Sequence, residues 1–107
     1  MIKAKKSLGQ NFLIDPIILN KIVDLVNIQN KAVLEIGPGT GNLTRHILKK
    51  KPKKLIVIEK DNVLALNLQN KFSEQINIIN KDVLEVDELS LCDESLTVFG
   101  NLSLIHI

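Results

Sequence analysis

The feature that most constrains this chain is a junction. The apolar run Ala32 to Ile36 passes directly into Gly37-Pro38-Gly39-Thr40-Gly41-Asn42. Glycines let a backbone turn sharply and let a ligand come close, because no Cβ stands in the way. A second apolar run, Leu55-Ile56-Val57-Ile58, ends in an acid, Glu59, about 20 residues further on. An acid at that place can accept hydrogen bonds from ribose hydroxyls. Strand, glycine turn and strand-terminal acid together describe a nucleotide-type pocket.

The rest of the chain alternates in the same way. Asp15 followed by Pro16 reads as a helix cap and first helical residue. Ile18, Leu19, Ile22, Val23, Leu25 and Val26 then recur at helical spacing. After the glycine turn, Leu43, Ile47 and Leu48 predict a short helix that runs into a lysine block, with Pro52 as its stop. Lys54 to Ile58 is the second strand, and Asp61 is placed to cap a helix carrying Val63, Leu64, Leu66, Leu68 and Phe72. Ile76 to Ile79 reads as a third strand, Leu96 to Phe99 as a fourth, and Asp87 to Ser95 as an acidic loop. Strands alternating with helices predict parallel βαβ units: an α/β, Rossmann-like core with a mostly parallel sheet. Ligands of such sheets sit outside the carboxyl ends of the strands, where the strand order reverses. The apolar runs are closed by Gly37, Glu59, Asp82 and Asn101, so these four residues are the expected lining of one crevice.

The loop separates two ligand classes. A dinucleotide fingerprint is G-x-G-x-x-G, and here the third position falls on Asn42, with Gly41 one residue early. The order Glu35-x-Gly37-x-Gly39-x-Gly41 resembles the first motif of S-adenosylmethionine-dependent methyltransferases. That cofactor carries no phosphate, so the loop needs only to pass close beneath its amino-acid end. A nicotinamide-dependent oxidoreductase is the alternative that this spacing disfavours.

Five segments narrow the resemblance: Ser7 to Leu13, Val33 to Thr44, Val57 to Asp61, Asn80 to Val83 and Val98 to Leu102. Together they closely resemble the rRNA adenine dimethyltransferases, which make N6,N6-dimethyladenosine at two adjacent adenosines near the 3′ end of small-subunit rRNA. The segment Gly9-Gln10-Asn11-Phe12-Leu13 is more specific to that family than the glycine loop. The resemblance implies S-adenosyl-L-methionine as cofactor and the immature small ribosomal subunit as partner. It implies that Asn11 and Leu13 close over the cofactor, that Gly37 faces its methionine part, and that Glu59 holds its ribose. Asp82 would accept from its adenine amine, and Asn101 would begin the catalytic Asn-Leu-Pro-Tyr motif. Ser103-Leu104 stand where that motif has proline and an aromatic. Residues 1–107 are therefore expected to be a partial methyltransferase domain, with 1–14 a basic N-terminal segment and the sheet cut short after its fourth strand. The family's remaining sheet residues and helical RNA-binding domain are expected to be missing, leaving a cofactor-binding fragment inactive alone.

Composition removes other classes. Of 107 residues 45% are hydrophobic, enough for a core, and with no Trp or Tyr that core is aliphatic. No apolar run approaches a membrane span, and the single cysteine, Cys92, excludes a disulfide framework, so a cytoplasmic setting is expected. The acids from Glu85 to Glu94 lack paired His or Cys at ligand spacing, so no metal is expected. His106 is read as an unordered residue near the chain end. The net charge of +2 is unevenly spread. Lys3, Lys5 and Lys6 fit phosphate contacts, whereas Lys49 to Lys54 read as cations complementing a helix C-terminus.

Overall fold

The computed structural model describes residues 16–87, 91 and 95–100. Among them the order of elements is α1 (Pro16–Asp24), β1 (Ala32–Ile36), α2 (Asn42–Lys49), β2 (Lys54–Ile58), α3 (Asn62–Phe72), β3 (Asn77–Ile79) and β4 (Thr97–Gly100). Single 3-10 turns lie at Ser73–Gln75 and Val83–Glu85. The four strands make one parallel sheet in the order β3-β2-β1-β4. The chain thus steps outward from β1 to β3 and then returns to the other side of β1. The reversal falls between β1 and β4, the place the sequence assigns to the crevice.

Alternation along the strands divides the core in two. Val33, Leu55, Val57 and Phe99 face the helices, against Leu19 and Val23 of α1, Leu43 and Ile47 of α2, and Leu68 and Phe72 of α3. Leu34, Ile56 and Ile58 face the other way, against Ile36, Ile79, Val83, Val86, Leu91 and Leu96. A parallel sheet buried on both faces calls for such nearly continuous apolar strands. Asp61 caps α3 as expected, its Oδ1 accepting from Leu64 N at 2.9 Å.

Three boundaries differ from the sequence reading. The helical spacing continues to Val26, but α1 ends at Asp24 and Leu25 is 79% exposed. The chain has to turn there so that Ile28 can plug the core ahead of β1. Ile76 is buried on the helix face but precedes the ladder, because β2 pairs with β3 only from Ile56↔Asn77 onward. Leu96 similarly packs on the second face just before β4, whose pairing begins at Val33↔Thr97. The proposed Asp15 cap, Cys92 and His106 lie outside the described residues, as does most of the acidic loop.

Candidate cofactor crevice

The carboxyl ends of β1, β2 and β3 are laced together by backbone hydrogen bonds that continue the ladders past the strands. Gly37 N donates to Ile58 O at 2.9 Å, and Glu59 N donates to Ile79 O at 3.0 Å. Asn80, just past β3, donates from Nδ2 to the carbonyls of Glu59 and Lys60, at 2.9 and 3.2 Å. On the far side Ile36 pairs with Gly100. Gly37 and Glu59 are therefore held side by side, and Asp82 follows two residues after the Asn80 tie.

Glu59 is 6% exposed, yet both its oxygens are satisfied by main chain. Oε1 accepts from Gly39 N at 3.2 Å and Oε2 from Asp61 N at 3.0 Å. A carboxylate has about four lone-pair sites over its two oxygens. One contact on each leaves one further acceptor site per oxygen, held in a fixed plane. That geometry suits two neighbouring hydroxyl groups.

The three loop glycines do different jobs. All have positive φ: +66° at Gly37, +61° at Gly39 and +90° at Gly41. Among the described residues, a Cβ added at Gly37 or Gly39 would meet nothing within 4 Å, so the packing of those residues does not demand a glycine at either. Their bare surfaces border open space next to Glu59. A Cβ at Gly41 would instead lie 2.8 Å from Phe72 Cε2 and 2.9 Å from Leu68 Cδ2. Gly41 thus allows α3 to lie close against the loop, as the third fingerprint glycine does for a helix and strand. Gly41 N closes the turn onto Pro38 O at 3.1 Å, and Lys71 of α3 donates from Nζ to Thr40 O at 2.8 Å.

Beneath the loop sits Glu35, 1% exposed, with the hydroxyl of Thr44 in α2 donating to its Oε1. Burial pushes its carboxyl up to about 7, the Thr44 hydrogen bond opposes this, and the negative Glu59 adds a smaller push upward. Asp82 caps the turn at Val83–Glu85, its Oδ1 accepting from Leu84 N at 3.0 Å, which leaves the second carboxylate oxygen. Asn11, Leu13 and Asn101 lie outside the described residues.

Sequence reasoning named Glu35 as part of the motif without giving it a role, and gave none to Asn80 or Lys71. For Glu35 a signal exists: it is the one acid in an otherwise apolar strand. Asn80 and Lys71 act through contacts to residues 20 to 31 positions away, which no local pattern announces. Among the described residues no cluster of His, Cys, Asp or Glu is placed to hold a metal, and no helix is long and apolar enough to cross a membrane.

A parallel sheet with a glycine loop after β1 and a held acid after β2 is the frame of Rossmann-like nucleotide-cofactor domains. Solved structures of similar shape narrow that class to rRNA methyltransferases. The 23S rRNA methyltransferase ErmE matches with a TM-score of 0.70 and 28% identity, over 80% of this chain and 35% of its own. A dimethyladenosine transferase from Plasmodium falciparum matches with a TM-score of 0.62 and 31% identity, over 68% of this chain and 28% of its own. The profile of the ribosomal RNA adenine dimethylase family matches residues 1–106, and the chain belongs to that family. Ribosomal RNA small subunit methyltransferase A of Pelagibacter ubique is 63% identical over 101 residues. The protein of that name from Mycoplasmopsis synoviae is 49% identical over 85 residues. These alignments cover 94% and 78% of this chain but 38% and 32% of the two relatives, so the chain spans under two-fifths of their length.

Proposed function

We propose that this chain is the cofactor-binding portion of an rRNA adenine N6,N6-dimethyltransferase that takes S-adenosyl-L-methionine. The observation that carries this reading is Glu59, buried at the end of β2 and anchored on each oxygen by a backbone N–H. It lies beside the two loop glycines whose Cβ positions are open. In this reading its remaining acceptor sites take the two ribose hydroxyls. The Gly37 backbone passes under the methionine end, and the second carboxylate oxygen of Asp82 accepts from the adenine amino group. Asn11 and Leu13 close over the bound molecule, roles that come from the family resemblance. The cofactor supplies a methyl group on a positively charged sulfur.

The substrate in this reading is the exocyclic amine of an adenosine, which the family resemblance implies, in the small-subunit rRNA that the relatives' names give. Its nitrogen is a weak nucleophile because the lone pair is delocalised into the purine. Asn101, as the first residue of the catalytic motif, would accept one N–H through its side-chain oxygen and so orient the lone pair. The target base must leave its stack to reach such a site. Catalysis would rest on placement and fixed dipoles, with no general base. Residues beyond Leu102 complete this motif in the family, and Ser103-Leu104 here differ from its proline and aromatic. Binding without turnover is therefore the expected behaviour of the 107-residue chain.

Calorimetry of the chain with S-adenosyl-L-methionine and, separately, with NADH tests the cofactor. Binding of the first and not the second is expected, and the reverse would overturn the assignment. Glu59→Ala should weaken S-adenosyl-L-methionine binding roughly ten-fold or more, about 1.4 kcal/mol per decade. Equal affinity of the two proteins would remove Glu59 from the site. A methyl-transfer assay on unmethylated small subunits, with the chain and with a full-length relative, separates a binding fragment from an active enzyme.

A further inference from the structure

The end of the sheet opposite the crevice carries six lysines: Lys31, Lys49, Lys50, Lys51, Lys53 and Lys54. Lys31 ends the connection from α1 to β1, and the other five run from the last residue of α2 to the first of β2; the fold brings the two stretches side by side. Asn30 N donates to Lys51 O at 3.0 Å, and Lys53 N donates to Lys31 O at 2.9 Å. Ala32 pairs with Lys54 at the start of the sheet. Lys51 N returns to Leu48 O at 3.1 Å, and Asn30 and Lys51 both hold positive φ, +63° and +57°. The backbone under these lysines is thus tied down on every side. Lys31, Lys49, Lys50, Lys51 and Lys53 are exposed and Lys54 is half-buried. Asp24 forms an ion pair with Lys50, at 2.6 Å.

The helix dipole accounts for cations at the end of α2, but not for Lys31, Lys53 and Lys54, which lie outside the helix. Nor does it explain their gathering on one rigid edge in a chain whose net charge is only +2. We infer that this edge is a phosphate-contacting platform for RNA, separate from the cofactor crevice and at the far end of β1. Five residues of strand put roughly 17 Å between the two. A small cofactor gains nothing from charges at that distance, whereas a long RNA can reach both. A lipid surface would call for a helix with its apolar face outward, and α1 and α2 turn Leu19, Val23, Leu43 and Ile47 into the core. The inference rests on the rRNA reading above for its choice of polymer.

The test uses a single-stranded oligouridylate, which has no adenosine to enter the catalytic site. Its binding to the whole chain is measured between 50 and 200 mM salt. Each phosphate neutralised contributes a slope of about −0.7 in the log–log plot for single strands. The combined variant Lys31→Gln, Lys49→Gln, Lys51→Gln should flatten the slope by about two units. A variant removing three scattered lysines, Lys21→Gln, Lys60→Gln, Lys81→Gln, should change it by well under one. Arginine in place of the three platform lysines should keep the original slope, which guards against a loss caused by misfolding. Equal flattening in the platform and scattered variants would reduce the effect to net charge and overturn the inference. So would an unchanged slope, or binding to phosphatidylserine vesicles in place of the RNA. S-adenosyl-L-methionine affinity is measured alongside. Its absence with the platform slope intact would defeat the cofactor reading alone, and the converse would defeat the platform alone.

Discussion

Glu35→Gln should be more stable than the parent at pH 8 and close to it at pH 4.5, the difference growing by up to about 3 kcal/mol between them. The sign follows from the raised carboxyl. In the unfolded chain Glu35 ionises near its ordinary value of 4.5, and in the folded chain near 7. Between those values the folded state holds the extra proton, so folding stability falls as pH rises through this window and levels off above it. Below it both states are neutral and no penalty exists. The size comes from about 1.4 kcal/mol per pKa unit, applied to a side chain buried to 1% exposure, where solvent screening is small. Glutamine keeps an oxygen to accept from the Thr44 hydroxyl and carries no charge, so it removes the penalty and spares the tie between β1 and α2. Urea unfolding of both proteins at the two pH values measures this. A pH-independent difference would show that Glu35 does not titrate in that window.

Gly41→Ala should cost about 2–4 kcal/mol, lowering Tm by about 10–20 °C for a chain of this size. Two causes add. An L residue is strained at φ +90°, and the new methyl would press against Leu68 and Phe72 at 2.8–2.9 Å. Both partners are buried side chains of α3 in the helix-side core, so neither can swing away without displacing its neighbours. Gly37→Ala and Gly39→Ala meet no atom of the described residues within 4 Å. Each should lose only the strain cost, on the order of 1 kcal/mol, while obstructing the ligand. Thermal melts beside cofactor titrations separate the two kinds of glycine. A small Tm loss at Gly41 would mean that α3 shifts to make room.

Much of this arrangement was legible in the residues. Ala32–Ile36 and Lys54–Ile58 emerge as strands with the boundaries their mainly apolar runs predict, because a strand buried on both faces is apolar at nearly every position. The Asp61 cap, the stop of α2 before Pro52 and the parallel, doubly covered sheet follow from local rules of the same kind. Gly37 and Glu59 could be paired from spacing alone, since a strand, a turn and a helix consume a nearly fixed length of chain.

Other features depend on residues that meet only when the sheet assembles. Helical spacing continues past Asp24, yet α1 stops there because Ile28 has to fill the core, an outcome set by packing. Periodicity cannot reveal that Gly41 faces α3 while Gly37 and Gly39 face open space, since all three share one backbone sign. Lys31 stands alone in the sequence, apart from the lysine block at Lys49 to Lys54, until the fold brings Lys53 N to Lys31 O. The sequence by itself determined the elements, the parallel sense of their strands and the place of Glu59 at the end of β2, because these depend on short-range patterns of apolarity, capping and turn length. Only the tertiary structure decided which oxygens of Glu59 remain to accept, how far burial raises Glu35, and which end of the sheet gathers the positive charge. Those properties arise from desolvation and from contacts between groups remote in the chain, and both exist only once the strands are side by side.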